Sequence, residues 1–390
     1  MIKTIYAHTA EIDDVSAAIS EIKDQISAEG GLLKNTVGIV GAFSDFVESG
    51  VVKALSETFP FDIVGITTIA AGGSGLNELM SLRLTILTSD DVRFATALTA
   101  PIKESSGEVI AAGYREAASK FEDEPALIIP HAPLLMTVSG DSYVRALDEA
   151  SGGIPVFGAV PVDHTIDYHE SKVIYGGEAY YESMAILLVF GDIKPKFYIG
   201  TILKEKLLRE KGEITSSTAN VLHEINGKVA RDYLVSKGLT ADESGDIPAI
   251  NANPFIIDFN DGSNKSIVRA AFAVTPDGSV VCGGDVPVGS YLTVGYVDEE
   301  SLVASSVEVI DELIADGKKD VFLAYSCVGR YFYLKFDPEV EINAMREAME
   351  KAGEPWSLIY AGGEICTLPQ EDDETVRNRF HNVTLVMCTF

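Results

Sequence analysis

One order of elements recurs three times along this 390-residue chain, and it constrains the fold more than any other feature. In the first unit, a β-branched run at Thr36–Val40 leads through a helical stretch, Val47–Phe59, into a second apolar strand, Asp62–Ile66. An alternating strand, Leu82–Leu87, then closes the unit. The same order of strand, loop, helix, strand, loop and strand begins again at residue 126 and at residue 321.

The connections within each unit predict how its strands pair. Short apolar runs joined through a helix favour parallel neighbours, because only a long crossover brings the chain back in the same direction. The closing strand follows a polar loop or alternates in polarity, which indicates an antiparallel member. The sequence therefore predicts an α/β fold in which repeated strand–helix–strand units form mixed, mainly parallel sheets in two similar-sized halves.

The boundary between these halves is predicted at Asp192–Pro195. Residues 1–195 then hold two repeat units, and residues 196–390 hold a strand-rich insert followed by the third unit. Turn-forming pairs such as Asp261-Gly262 and Asp277-Gly278 separate the strands of the insert.

The charge balance excludes two classes of partner. The formal net charge of −29 argues against nucleic acid and against an anionic membrane surface, because both are recognised through basic patches. We expect no membrane insertion, since no run approaches the roughly 20 apolar residues that span a bilayer. The N-terminal segment becomes acidic where an export signal would be apolar, and the four cysteines form no C-x-x-C motif. We therefore expect reduced thiols and a cytoplasmic protein; the pattern does not predict an oligomeric state.

Three motifs near the C-terminus carry a family resemblance. They are Cys327-Val-Gly-Arg330, which follows the strand of the third unit, then Gly363-Glu364, and then His381-Asn-Val-Thr384. Together they resemble the C-terminal part of FIST domain proteins, and a looser likeness extends upstream to residue 35. The resemblance implies a bacterial sensory module in signal transduction, with FIST N-terminal-like and C-terminal-like halves and an amino acid or small organic acid as ligand. Members of the family often sit beside output domains, and the sequence shows none here, so we expect the signal to pass to a separate signalling output protein or to a change in assembly. We expect no cofactor.

The same motifs suggest how such a ligand is held. The resemblance implies ligand-binding positions at Cys327, Gly329, Arg330, Gly363, Glu364, His381, Asn382 and Thr384. Loops at the carboxyl ends of strands are where α/β sheets collect ligands. There Arg330 offers a planar fork for a carboxylate and Glu364 a partner for an ammonium group. A zwitterion is the ligand that this pair predicts.

Other interpretations of these residues stay open. Cys327 also fits a small buried residue, and Arg330 could pair with an acidic neighbour, including Glu364. Asn382 and Thr384 fit a capping or ladder role nearly as well as ligand contact. A thiol enzyme, with Cys327 as nucleophile, His381 as base and Glu364 or Asn382 orienting that base, is an alternative function. A protein-interaction module is a third.

The sequence predicts no metal site and no phosphate loop. The segment Asp163–Glu170 offers two imidazoles and three carboxylates, but their spacing favours a polar loop over a metal centre. Asp258–Gly262 lacks the register of a calcium loop. Gly72–Gly75 is not followed by the Gly-Lys-Ser/Thr of a phosphate loop, so a glycine-rich turn is predicted there.

Overall fold

The computed structural model describes residues 2–75, 78–103, 107–135, 137–165, 167–208, 210–248, 250–262, 266–369 and 375–390. The protein is α/β with mixed sheets, which confirms the predicted class. Among the described residues, no helix combines the length and apolar composition that crossing a bilayer requires.

The strands of the first 200 residues are β1 (Ile2–Thr9), β2 (Asn35–Ala42), β3 (Asp62–Thr67), β4 (Ala71–Gly73), β5 (Leu82–Ser89), β6 (Arg93–Leu98), β7 (Leu127–His131), β8 (Phe157–Val160), β9 (Val173–Tyr175), β10 (Glu178–Tyr180), β11 (Ala185–Phe190) and β12 (Lys196–Gly200). The remaining described strands are β13 (Gly212–Thr218), β14 (Val221–Ile225), β15 (Lys228–Val229), β16 (Phe255–Asp258), β17 (Ile267–Arg269), β18 (Ala271–Val274), β19 (Val280–Cys282), β20 (Tyr291–Val294), β21 (Phe322–Cys327), β22 (Ser357–Ala361), β23 (Gly363–Thr367), β24 (Asn378–His381) and β25 (Leu385–Thr389).

The described α-helices are α1 (Val15–Ala28), α2 (Ser44–Glu48), α3 (Val51–Thr58), α4 (Gly107–Ala118), α5 (Gly140–Ser151), α6 (Ala230–Ser236), α7 (Glu299–Ala315), α8 (Val328–Tyr333) and α9 (Glu339–Ala352). Of two short 3₁₀ turns, Lys204–Lys206 precedes the strand-rich region and Ile250–Ala252 lies within it.

Three of the four sheets share one arrangement of strands. Their orders are β1-β5-β2-β3-β9-β10, then β6-β11-β7-β8-β23-β24, and then β12-β25-β21-β22-β4. In each sheet one parallel pair (β2 with β3, β7 with β8, β21 with β22) spans a helical crossover. An antiparallel strand, β5, β11 or β25, lies on the other side of that pair's first strand.

The prediction of mainly parallel sheets is wrong. Among the described strands, only the three pairs that span helices are parallel. Hairpins such as β9–β10 give antiparallel neighbours, and strands that pair across long stretches of chain, such as β1 with β5 and β8 with β23, are antiparallel as well. The strand-rich region forms a fourth, antiparallel sheet of order β17-β16-β20-β13-β14-β19-β18, with β15 beside β14.

Each of the three sheets is completed by strands from a distant segment. The hairpin β9–β10 extends the first sheet beside β3, β23 and β24 extend the second beside β8, and β4 extends the third beside β22. Two of these exchanges cross residue 195, so the predicted halves share strands. The division into halves at that residue stays a prediction.

The three sheets meet in one apolar core. Val64 of the first sheet, Phe157 of the second and Tyr325 of the third belong to a single buried cluster. This packing brings the second and third sheets against each other, and the predicted site residues lie in these two sheets or in the segments that leave them.

Helix α9 covers the outer face of the third sheet for reasons visible in its sequence. Ile342, Met345 and Met349 recur at intervals of three and four and form its buried stripe. The helix ends at Gly353, which has a φ of 71° and closes it in the left-handed conformation.

Candidate functional site

Cys327 lies at the point where β21 ends and α8 begins. All six residues of β21 are buried, and the side chain of Cys327 is enclosed with them. Its backbone N–H donates a hydrogen bond to the carbonyl oxygen of Thr384 at 3.0 Å, which links this corner to the segment leading into β25. Burial raises the pKa of the Cys327 thiol, and the nearby carboxyl group of Glu364 raises it further.

Glu364 is the most unusual side chain of the predicted set. It lies in β23 of the second sheet, directly opposite His381 of β24 and Ala159 of β8, and its side chain is fully enclosed. Neither carboxyl oxygen has an N–H or O–H group as a hydrogen-bond partner; the thiol of Cys327, a weak donor, lies close enough to act on the Glu364 carboxyl as a hydrogen-bonding group. Burial raises the pKa of Glu364 well above its ordinary value, and the thiol of Cys327 offsets only part of that increase.

Arg330 does not face a ligand position, and this corrects the predicted pairing. Its guanidinium is fully buried, with Nη2 2.7 Å and Nε 2.8 Å from Oε1 of Glu341. The same Nη2 donates to the hydroxyl of Ser306 at 2.6 Å and to the carbonyl oxygen of Leu302 at 2.9 Å. Arg330 thus pairs with an acidic neighbour, and that neighbour is Glu341 rather than Glu364. We therefore assign no ligand carboxylate to Arg330.

Glu341, at the start of α9, is a residue that the sequence analysis missed. Its carboxylate accepts hydrogen bonds at 2.7 Å from the hydroxyls of Ser306, Ser326 and Tyr360. Burial alone would raise the pKa of Glu341, but the charge of Arg330 and these hydrogen bonds outweigh it and lower the pKa. One signal was present: Glu341 stands four residues before Met345, on the apolar stripe of the helix, where a solvated acid would not lie.

His381 is buried, neutral and bonded to the backbone. Its Nε2 lies 3.1 Å from the carbonyl oxygen of Cys366, so Nε2 must carry the proton. Its Nδ1 is therefore a bare acceptor, and it has no partner. Burial lowers the pKa of His381 to about 3. The ring is thus directed to Cys366 and not to Cys327 as the thiol-enzyme alternative requires.

Asn382 and Thr384 make local hydrogen bonds, in line with the capping interpretation. Asn382 Nδ2 donates to the carbonyl oxygen of His381 at 3.1 Å, and the hydroxyl of Thr384 donates to the carbonyl oxygen of Asn382 at 2.7 Å. Between them Val383 has a φ of 53°, a left-handed conformation that β-branched residues rarely adopt. Such strain persists only where the surroundings hold it in place, and it is concentrated at functional sites.

The backbone of this strained turn faces the sulfur of Cys327. Backbone groups of Gly329, Val383 and Thr384 lie close enough to lower the pKa of the thiol, although burial outweighs them. Gly329 leaves room for this approach, because a Cβ there would lie 3.1 Å from Cγ2 of Val383 and 3.5 Å from the sulfur. Gly329 therefore allows the backbone around Val383 to approach Cys327 closely.

Gly363 has a packing role. A Cβ at this position would lie 2.4 Å from Cζ of Phe380, so only glycine lets β23 approach β24 here. Gly363 thereby positions Glu364, the next residue along the strand.

The segment Asp163–Glu170 forms a polar loop beside this site. Asp163 is buried and accepts hydrogen bonds from the backbone N–H of Glu170 at 3.0 Å and from the hydroxyl of Ser171 at 2.7 Å. His169 pairs with Asp167 at the surface. Position 166 lies outside the described residues, and within the described part of the chain no three His, Cys, Asp or Glu side chains are grouped to hold a metal ion.

Tyr168, in the same loop, is a second residue that the sequence analysis missed. Burial and then Cys327 raise the pKa of its phenol to about 12, so the phenol and the thiol are neighbours. Its φ of 55° is uncommon for a bulky residue. Two non-glycine residues in left-handed conformations, Tyr168 and Val383, therefore lie near Cys327. Nothing in the local sequence signals either conformation.

The fold and the site together define a mixed α/β protein with a closed acid–thiol centre between two of its sheets. Its chain belongs to the FIST family: residues 36–228 match the FIST N domain and residues 228–367 match the FIST C domain. These domains are known as sensory modules of signal transduction that are thought to bind small ligands.

Comparison with other known proteins adds little. No curated protein matches the chain. Among solved structures, cyanuric acid hydrolase from A. caulinodans is similar over 100% of this chain and 99% of its own, with 11% identity and a TM-score of 0.32. At that TM-score the likeness carries no conclusion about this chain.

Proposed function

We propose that this protein is a small-ligand-binding sensory protein and that Glu364 holds an amino group of its ligand. The family supports the sensory role. The observation that carries the second part is the fully buried carboxyl group of Glu364, which has no N–H or O–H hydrogen-bond partner on either oxygen and only the weakly donating thiol of Cys327 beside it. Buried polar groups are nearly always satisfied, so one that is not calls for a missing partner.

The chemistry of the orphaned atoms selects the kind of partner. Once ionised in the complex, the carboxylate of Glu364 can only accept, and Nδ1 of His381, on the residue directly opposite, is also an unpartnered acceptor. A ligand that satisfies acceptors must bring N–H donors, and an ammonium group would also neutralise an ionised Glu364. Amino acids and simple amines are therefore the proposed ligand class, and organic acids without an amino group are not.

Enclosure of the site fits a sensory role. Glu364, Cys327 and His381 are all buried, so a ligand can enter only if neighbouring segments move. A ligand that binds the opened form better than the closed one shifts the population between them, which converts binding into a change of shape. Tyr168 and Val383, which lie next to the site, have strained backbone conformations. Strain of this kind is found at segments that switch between conformations.

The remaining expectations fit this proposal. The four cysteines are unpaired and buried, which supports a reducing compartment such as the cytoplasm. The exchange of strands among sheets of similar order supports an origin from repeated strand–helix–strand units. A separate output protein would receive the signal, and the halves 1–195 and 196–390 are our proposed domains.

A thermal-shift screen of amino acids, amines and organic acids tests the proposal. Ligands that bind only the native state raise the melting temperature by mass action. We expect amines or amino acids to raise it for the wild type and for Glu178→Gln, a variant of an exposed acid, but not for Glu364→Gln. If no amino compound shifts the melting temperature, or if Glu364→Gln responds like the wild type, the proposal is wrong.

A further inference from the structure

A second candidate binding site lies in the strand-rich region, and none of its lining residues is a predicted site residue. It is a cavity of about 540 Å³, within the range that holds small molecules. Its walls are the segment after α6, the end of β20, and the chain near Lys206. The side chains that line it are mostly apolar, namely Leu208, Leu239, Ala241, Ile247, Pro248 and Val294.

We propose that this cavity binds a small organic anion with an apolar body, such as an aromatic or branched carboxylate. The apolar walls would hold the body, with the ring of Tyr296 at the rim. The ammonium groups of Lys206 and Lys237, which also line the cavity, would hold the anionic group. Nothing in this proposal depends on the role of Glu364.

Each of the two lysines already has an acidic partner, but each can still bind the anionic group of a ligand. Lys206 Nζ lies 2.6 Å from Oδ2 of Asp298, and Lys237 pairs with Glu210. Both pairs are partly exposed, so they contribute little stability and can be shared with a ligand. An ammonium group also has three donors, and one ion pair does not use them all.

The charge of the lining favours an anion over a cation. The cavity has two lysines against one acid, Asp242, in a chain of net charge −29. Oδ1 of Asp242 already accepts hydrogen bonds from the backbone N–H and the hydroxyl of Ser244, at 2.8 Å and 2.6 Å. Asp298 and Glu210, the acids paired with the two lysines, are not lining residues, so the cavity wall itself presents more cationic than anionic groups to a ligand.

Three probes that share a phenyl ring separate charge from shape: phenylacetate, phenylacetamide and phenethylamine. Ligand-detected NMR titration of the 390-residue protein should give phenylacetate a dissociation constant about tenfold below that of phenethylamine. Lys237→Met should weaken phenylacetate binding by about two- to fivefold. Lys211→Met, which removes an exposed lysine paired with Asp258 in the same region, should leave it unchanged.

Filling the cavity supplies the decisive variants. Leu239→Trp and, independently, Ala241→Phe should abolish phenylacetate binding in protein whose melting curve stays cooperative. Glu364→Gln should leave it intact, which separates this site from the one proposed above. Equal binding of the three probes, no binding of phenylacetate at millimolar concentration, or full binding by both filled variants would overturn the proposal.

Discussion

The thiol of Cys327 faces the carboxyl group of Glu364 across the junction of two sheets. Cys327 ends β21 of the third sheet, and Glu364 belongs to β23 of the second. Burial raises the pKa of both groups, and each influences the other. Two neutral acids therefore face each other in an enclosed site, and a cationic ligand there would change the protonation of at least one of them.

Glu364 should make the unliganded protein less stable as the pH rises. Because its folded pKa is raised, the stability it contributes is complete below its unfolded pKa and is lost as the pH rises through the folded value. We expect the wild type to lose free energy of unfolding relative to Glu364→Gln above about pH 4.5, by at most about 1.4 kcal/mol per pH unit. Urea unfolding of both proteins between about pH 5 and about pH 8, where folded proteins are usually most stable, measures this difference. A difference that is independent of pH would show that Glu364 is already ionised and paired.

The ion pair of Arg330 and Glu341 should matter for stability. Arg330→Met leaves the buried carboxylate of Glu341 without its cation, which costs about 3–5 kcal/mol in such sites. The double variant Arg330→Met, Glu341→Met should cost less than the sum of the single variants, because no buried charge is left unpaired. Denaturant unfolding of the three variants measures both effects.

A matched surface pair provides the control for this cycle. Arg115 and Glu108 also form an ion pair, but their side chains are 59% and 85% exposed. Removing Arg115 should not measurably change the free energy of unfolding. A loss of similar size at both pairs would mean that burial does not determine the contribution of Arg330.

The cysteines should react slowly in the native protein. All four are buried, and burial raises the pKa of Cys327 above its ordinary value. The thiolate is the reactive form, so little labelling is expected at neutral pH. Titration with a thiol reagent should find less than one reactive thiol in the native protein and all 4 after denaturation. Rapid labelling of Cys327 alone would instead favour the thiol-enzyme alternative.

Gly363→Ala should destabilise the protein by about 1–3 kcal/mol, because the added methyl group would overlap Phe380 between β23 and β24. Gly107→Ala is the control, since a Cβ there meets nothing within 4 Å and its φ is not positive. Urea unfolding distinguishes the two variants. Equal stability of Gly363→Ala and the wild type would contradict the close approach of the two strands.

The local sequence pattern predicts where strands and helices lie along the chain better than it predicts which strands pair. The strand predicted at Thr36–Val40 lies within β2, and the helix predicted at Ile342–Ala352 lies within α9. However, Gly72 was predicted to lie in a glycine-rich turn, and it belongs instead to the short strand β4. There it lies opposite Leu358 of β22. Gly73 is needed because a Cβ there would lie 2.7 Å from the backbone carbonyl oxygen of Trp356. Hydrophobic periodicity contains no information about a partner that far along the chain.

The site was predictable in its positions but not in its pairings. Cys327 and Glu364 do lie close together, but they belong to two different sheets and not to one sheet edge as expected. The partner of Arg330 was not predictable from loop chemistry, because Glu341 belongs to a helix whose acidic residues mostly face solvent. The structure pairs Arg330 with Glu341 in the core, and the proposed ligand is therefore argued from Glu364 alone.

Proton release on binding tests most directly whether Glu364 holds an ammonium group. The measurement is isothermal titration calorimetry in two buffers of different ionisation enthalpy. It is made at about pH 6, where a carboxyl group with an ordinary pKa is already ionised. The titrant is the amino compound that gives the largest thermal shift. If Glu364 is neutral in the free protein and ionised in the complex, binding should release about one proton in the wild type. Any residual binding by Glu364→Gln should release none. Binding without proton release, or with the same release in Glu364→Gln, would contradict the proposed role of Glu364.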